Sequence, residues 1–218
     1  MTGVTLVEND SVSGFLHRPR NANDYGMILT HGAGANCKAT LLVKIADAFA
    51  EAGWHVLRCD LAFRQRRPFG PPTPASAAED RKSLKAAAAE LRSLFAGRIF
   101  LSGHSYGGRQ ASMLLAEEPS VADGLLCFSY PLHPPTKPQA LRTAHFPQLR
   151  RPAMFVHGTQ DPFGSIEEIR AALSLIPAVT ELVTLPNAGH DLLKGRFPIA
   201  ESVIAPFERL TRVTELHQ

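Results

Sequence analysis

The chain has little of what marks disulfide-stabilised, membrane or nucleic-acid-binding proteins. Its 218 residues include three cysteines, an odd number without disulfide spacing, which fits a reducing compartment. The formal net charge of +3 is too small to favour nucleic acid or a membrane as a partner. No apolar stretch is long enough to cross a bilayer, and residues 1–8 lack the pattern of a signal peptide. We therefore expect a cytoplasmic protein with neither kind of partner.

The composition that remains is that of a globular domain built from alternating strands and helices. Apolar residues make up 44% of the chain and charged residues 20%, which is ordinary for such proteins. Apolar runs typical of strands lie at 4–8, 13–17, 25–30, 54–59, 98–102, 125–129, 153–157 and 181–185. Helical patterns separate most of them, so we expect an α/β fold with a mostly parallel sheet of about seven to eight strands and helices on both faces. We expect one domain over residues 1–218.

The most informative motif is a serine between two glycines. Residues 103–107 read Gly-His-Ser-Tyr-Gly, directly after an apolar run and directly before a helical pattern. In that context the pattern predicts a strand–turn–helix in which a strained backbone exposes the serine hydroxyl. The turn is so tight that Gly103 and Gly107 have no room for a side chain. Ser105 is therefore the candidate nucleophile.

A serine hydroxyl needs a base to accept its proton and a carboxylate to orient that base. His190 follows the strand at 181–185, and Asp161 follows the strand at 153–157. The chain order serine, acid, histidine is the one typical of this kind of triad. All three side chains stand at carboxyl ends of strands, where open parallel sheets bind ligands. Asp60 is an alternative acid, although the chain order favours Asp161 and a structural role for Asp60.

Acyl transfer also needs N–H donors for the negative oxygen of the transition state. Tyr106, directly after the serine, offers one backbone N–H. The glycine-rich turn at 31–36, after the strand at 25–30, is expected to supply the second. Ala33 is the first choice for this donor, and Gly34 is the second. The alternative is that this turn only makes a tight exit from the strand.

The loop at 61–75 is rich in proline and arginine and leaves two interpretations open. Arg64, Arg66 and Arg67 follow a strand whose carboxyl end borders the predicted cleft. Such a run is more often a solvated loop, but guanidinium groups also recognise carboxylate or phosphate groups of a substrate. His133, in the loop after the strand at 125–129, is a further candidate for the cleft. Arg109 lies on the first turn of the helix after Ser105. It is as much a candidate for a structural ion pair as for recognition of an anion.

The sequence gives no reason to expect a metal or another cofactor. None of the nine histidines forms an i, i+4 pair with a helical carboxylate, the spacing typical of a metal site. The segment between the strands at 125–129 and 153–157 spans about two dozen residues, too few for a large cap domain. We therefore expect an open cleft rimmed by loops.

Five segments carry a resemblance to a known family. They lie at residues 29–34, 103–109, 130–135, 157–164 and 189–192, and the proline-rich segment 130–135 is the most specific. With them the chain resembles small α/β-hydrolases without a cap, related to dienelactone hydrolases, and in particular the group of testis-expressed protein 30. The resemblance implies the α/β-hydrolase fold and the triad positions Ser105, Asp161 and His190. It implies no substrate, and His104 and Tyr106 replace the lysine and methionine expected beside the serine.

The sequence thus predicts a metal-independent serine hydrolase that cleaves a carboxylic ester or a related acyl bond of a small molecule. The alternative is a non-catalytic module that keeps the fold and binds a partner, since a fold does not fix a function. The complete set of triad and oxyanion candidates favours the enzyme. The oligomeric state stays open.

Overall fold

A single sheet of eight strands organises the chain. The structure is a computed structural model that describes residues 3–213, so residues 1–2 and 214–218 of the expected domain lie outside the described residues. The strands are β1 (Gly3–Glu8), β2 (Ser13–Arg18), β3 (Tyr25–Thr30), β4 (His55–Cys59), β5 (Arg98–His104), β6 (Gly124–Phe128), β7 (Ala153–Gly158) and β8 (Thr180–Leu185). Their order is β1-β2-β4-β3-β5-β6-β7-β8. Strands β3 to β8 pair in parallel, while β2 is antiparallel to both β1 and β4. The predicted, mostly parallel sheet is confirmed.

Helices connect most of the parallel strands. The α-helices in the described part of the chain are α1 (Thr40–Glu51), α2 (Ala62–Arg66), α3 (Ala77–Leu94), α4 (Tyr106–Glu117), α5 (Ile166–Leu173) and α6 (Ala205–Val213). Short 3₁₀ turns lie at Pro74–Ser76, Phe146–Gln148 and Leu192–Gly195, and a π-helical turn, Ala200–Ile204, precedes α6. The connection from β6 to β7 contains only one of these 3₁₀ turns. A large cap domain is therefore absent from residues 3–213, as the sequence predicts.

Two apolar cores lie on opposite faces of the sheet because side chains alternate along each strand. On β3, Ile28 packs into one core, while Met27 and Leu29 pack into the other. Helices α3, α4 and α5 cover the face of Ile28, and α1 and α6 cover the face of Met27. Each fully buried aliphatic side chain contributes about 1.5–3 kcal/mol of transfer free energy. This double coverage explains why the central strands read as continuous apolar runs.

The segment at 61–75 is more ordered than the sequence suggests. It contains the five-residue helix α2 and the 3₁₀ turn instead of an irregular loop. Phe63 is buried, and its backbone N–H donates to the Asp80 carboxylate on α3 at 2.9 Å. This contact with a residue 17 positions away holds the short helix against α3. A local pattern of prolines and arginines carries no signal of that contact.

Candidate active site

Ser105 stands at a sharp turn between β5 and α4. Its backbone has φ 52° and ψ −118°, a conformation that is costly for any residue except glycine. A Cβ at Gly103 would lie 2.5 Å from the carbonyl carbon of Gly107, and a Cβ at Gly107 would lie 2.6 Å from His31 O. Both positions therefore exclude a side chain. The turn has the geometry that the five-residue motif predicts.

The structure brings Ser105, His190 and Asp161 into one hydrogen-bonded chain. Nε2 of His190 lies 2.8 Å from Ser105 Oγ. Nδ1 of His190 lies 2.8 Å from Asp161 Oδ2 and 3.0 Å from Oδ1. Because a carboxylate only accepts, the imidazole proton belongs on Nδ1, and Nε2 is free to accept the serine proton. The three candidates thus form a serine–base–acid geometry.

Asp161 is buried and ionised beneath His190. Burial raises the pKa of its carboxyl group, but the hydrogen bond and charge of His190 and the N–H of Phe163 outweigh burial, so the pKa lies below its ordinary value. The Phe163 N–H donates to Asp161 Oδ1 at 2.9 Å. The Phe163 ring packs on the His190 ring at a centroid distance of 4.3 Å. The sequence analysis missed Phe163, although its place two residues after Asp161 is a usable signal for a residue that holds the acid.

His104 connects the turn of Ser105 to the loop that carries His190. Its Nε2 lies 2.8 Å from the backbone carbonyl of His190, and the two rings are 5.1 Å apart. Burial lowers the pKa of His104 to about 4, so the ring is neutral at neutral pH. Because a carbonyl oxygen only accepts, the hydrogen of the neutral ring lies on Nε2, which donates a hydrogen bond to that carbonyl. The side chain also lies against the loop after β3, because a Cβ at Gly32 would be 3.1 Å from His104 Nδ1.

The loop after β3 runs next to Ser105. A Cβ at Gly32 would lie 3.4 Å from Ser105 Cβ. Among residues 3–213, the N–H groups of Ala33 and Gly34 have no acceptor. Tyr106 begins α4, and the first N–H groups of a helix lack an intrahelical partner. Both predicted donor positions therefore border the nucleophile.

The guanidinium group of Arg64 is not free to bind a carboxylate or phosphate of a substrate. Its side chain is buried at 6% exposure, and Nε donates to Ala35 O at 2.8 Å. The terminal nitrogens donate to Ala33 O at 3.0 Å, Gly70 O at 3.1 Å and Arg67 O at 3.2 Å. Four of its N–H groups are thus bound to backbone carbonyls, and two of these carbonyls, of Ala33 and Ala35, belong to the loop that carries the oxyanion candidates. Arg64 holds this loop in place.

The remaining candidates also bind protein groups. Arg66 is exposed and lies 3.6 Å from Glu79, and exposed Arg67 donates to Pro71 O at 2.8 Å. His133 is buried, with Nδ1 2.9 Å from Pro134 O and Nε2 3.5 Å from Glu168. Asp60 accepts the Cys37 N–H at 2.6 Å and lies 3.3 Å from His31 Nε2, whereas His190 binds Asp161. The structure therefore brings none of these four side chains into contact with the triad.

We expect Arg64→Gln to lower the free energy of unfolding by about 1–3 kcal/mol, because buried carbonyls lose their donor. The matched variant Arg66→Gln removes only an exposed ion pair, so its cost stays within about 0.5 kcal/mol. Urea denaturation followed by circular dichroism measures both. Equal midpoints for the two variants would contradict the bracing role of Arg64.

The described residues show neither a metal cluster nor a membrane helix. Between residues 3 and 213, no group of three or more His, Cys, Asp or Glu side chains is arranged to hold a metal ion. No helix of the described chain is both long and apolar enough to cross a bilayer.

Comparison with known proteins agrees with this architecture. A family model described as "Alpha/beta hydrolase domain" matches residues 23–197. A dienelactone hydrolase from Anabaena variabilis is 20% identical, with a TM-score of 0.71 and 95% coverage of both chains. Est1E from Butyrivibrio proteoclasticus is 17% identical, with a TM-score of 0.70 and 97% coverage of both chains. XC6422 from Xanthomonas campestris, a serine hydrolase without a lid, is 15% identical, with a TM-score of 0.71 and 94% coverage of both chains. At these identities the solved structures establish the fold.

Proposed function

Since the chain belongs to the alpha/beta hydrolase domain family, we propose that it is a serine hydrolase that cleaves a carboxylic ester or a related acyl bond. The observation that carries the proposal is the hydrogen-bonded chain from Ser105 Oγ through His190 to Asp161, with both distances from the imidazole at 2.8 Å. A pure binding module has no need for this arrangement. Neighbours of the same fold that are described as a dienelactone hydrolase and an esterase domain support an ester or lactone as the bond that is cleaved.

In the proposed mechanism, Ser105 Oγ attacks the acyl carbon while His190 Nε2 takes the hydroxyl proton. The N–H groups of Ala33 and Tyr106 stabilise the negative oxygen of the tetrahedral intermediate. His190 then donates its proton to the leaving group as the acyl–oxygen bond breaks. Water, deprotonated by His190, attacks the acyl-enzyme, releases the acid and regenerates Ser105. Asp161 holds His190 in the required tautomer throughout.

The substrate of this proposal is a small molecule, which the hydrolase family supports; without a large cap domain in residues 3–213, the expected site is an open cleft. No metal or other cofactor takes part in the proposed steps. The single-domain organisation over residues 1–218, the cytoplasmic location and the narrower family group stay predictions.

A fluorophosphonate probe tests the proposed function. We expect one adduct by intact mass, mapped to Ser105 by peptide mass spectrometry, because the probe reacts with an activated serine. Ser105→Ala abolishes labelling and keeps the fold, as followed by circular dichroism. Ser174→Ala, at the exposed serine directly after α5, whose hydroxyl donates only to Ala171 O, keeps labelling. Absence of an adduct on the folded native protein would favour a binding module instead.

A further inference from the structure

The backbone directly after His190 forms a left-handed turn. Positive φ angles occur at Leu192 (46°), Leu193 (54°), Lys194 (52°) and Gly195 (76°). This conformation is costly for any residue with a side chain, because Cβ crowds the following carbonyl oxygen. Three such residues in a row persist only where the surrounding contacts fix them, and strain of this kind concentrates at functional sites. The loop that carries the candidate base is therefore held in a conformation that its own residues do not favour.

Contacts on the downstream side of the base fix this turn to the body of the protein. Asp191 Oδ1 accepts the Leu193 N–H at 3.0 Å. The Leu192 side chain is buried in the same core as the apolar face of α1. Gly195 lies against α1 as well, because a Cβ at this position would be 3.0 Å from Lys44 Cδ. These contacts hold the turn, but none of them acts on the base itself.

His104 supplies a hydrogen bond to the peptide of His190. Its Nε2–H donates to the His190 carbonyl at 2.8 Å. His104 is the last residue of β5, so this donor stands on a central strand of the sheet rather than on another loop. The bond ties the base loop to the sheet two residues before the left-handed turn begins at Leu192.

The ring of His104 also lies between the base and the oxyanion loop. A Cβ at Gly32 would lie 3.1 Å from His104 Nδ1, and the centroid of the His190 ring is 5.1 Å from that of His104. The Phe163 ring packs on the same imidazole at 4.3 Å. Ring contacts from two side chains thus limit the movement of the His190 imidazole.

A neutral donor is well suited to this place. Burial, with the charge of His190, lowers the pKa of His104 to about 4. His190 becomes a cation when it takes the proton of Ser105, and a second cation with its ring centre 5.1 Å away would oppose that step. The uncharged His104 ring gives its hydrogen bond without this repulsion.

We propose that His104 is a positioning residue for the candidate base: its Nε2–H holds the backbone carbonyl of His190, so that the imidazole stays within hydrogen-bond reach of Ser105. The inference rests on the proposed hydrolase function and adds to it a residue that the proposed mechanism does not use. Proton transfer needs a separation of about 2.6–3.2 Å between donor and acceptor. The 2.8 Å between His190 Nε2 and Ser105 Oγ meets this condition. A displacement of the loop by about 1 Å ends it and lowers the rate by up to about 100-fold.

The kinetic test compares two replacements of this histidine. His104→Gln keeps an N–H donor near the position of Nε2, whereas His104→Met fills a similar space without a donor. On 4-nitrophenyl acetate we expect His104→Met to lower kcat by about 10- to 100-fold, with KM within a few-fold of the native value. His104→Gln should recover most of kcat. Each kcat is expressed per active site, titrated with the fluorophosphonate probe, so that unfolded protein does not count.

The matched control is His145→Met. Burial lowers the pKa of His145 to about 4 as well, but its Nε2 lies 2.7 Å from Ser112 Oγ and contacts no triad residue. This variant should keep the native kcat per active site. Native kcat in His104→Met overturns the proposal, and so does an equal loss in His104→Gln or in His145→Met. If His104→Met does not fold, His104→Asn replaces it, because the shorter amide does not reach the His190 carbonyl.

A spectroscopic measurement judges the position of His190 without substrate. The proton between Nδ1 and Asp161 gives a low-field proton NMR signal whose shift depends on this geometry. We expect the signal to move or broaden in His104→Met and to keep its native shift in His104→Gln and His145→Met. A native signal and native kcat in His104→Met, with Ser105 labelled, contradict the positioning role and leave the proposed function intact. A signal that depends on His104 in a protein that no probe labels supports the positioning role and contradicts the hydrolase.

Discussion

We expect His190→Ala to lower kcat for an activated ester by about 10³-fold or more. The imidazole is the group that hydrogen-bonds the Ser105 hydroxyl, at 2.8 Å, so its loss leaves the serine protonated and weakly nucleophilic. KM should change much less, because the imidazole acts on the reacting atoms rather than on the rest of the substrate. Initial rates on 4-nitrophenyl acetate, with active-site titration of the native enzyme, measure the loss.

The matched control is His55→Ala. His55 begins β4 at the amino end of the strand and stacks on Phe95 at 4.8 Å, on the opposite edge of the sheet from Ser105. Its removal should keep kcat within a few-fold of the native value and should affect mainly stability. If both variants lose the same activity, the loss reflects folding. If His190→Ala keeps native activity, another group is the base.

Much of the fold could be predicted because its signals are local. The apolar runs at β3 to β8 and the helical patterns between them specify a doubly covered parallel sheet. The turn at Ser105 is equally predictable from the sequence. Its strained backbone requires glycine two residues before and two residues after the serine, so the motif has a fixed spacing. Tight turns and strand–helix alternation are properties of neighbouring residues, so a single sequence carries them.

The arginines show why the rest could not be predicted. In the sequence, Arg64 is one of three arginines in a proline-rich loop. In the structure it binds the carbonyls of Ala35 and Ala33, which lie 29 and 31 positions away along the chain. Arg109 appeared as a candidate for an ion pair, but no acid reaches it in the described structure. Whether a guanidinium is braced, paired or left free depends on which elements pack around it. That information lies in the tertiary contacts and leaves no local pattern.

The second large effect concerns the acid: we expect Asp161→Asn to lower kcat by a factor on the order of 10³–10⁴. In the native site Oδ1 accepts the Phe163 N–H at 2.9 Å, and Oδ2 faces His190 Nδ1 at 2.8 Å. An asparagine must keep its oxygen on the Phe163 N–H, so its NH₂ group faces Nδ1. The imidazole then moves its proton to Nε2 and can no longer accept one from Ser105. Volume and packing are preserved, so the variant separates tautomer control from folding.

Asp60→Asn is the matched comparison for the acid. Asp60 Oδ1 accepts the Cys37 N–H at 2.6 Å, and an amide oxygen can accept the same bond. We therefore expect this variant to keep kcat within a few-fold of the native value. The rate of fluorophosphonate labelling should follow kcat in both variants, because it depends on the same activated hydroxyl. A fully active Asp161→Asn enzyme together with an inactive Asp60→Asn enzyme would transfer the role of the acid to Asp60, because only the residue that fixes the imidazole tautomer responds so strongly to an isosteric amide.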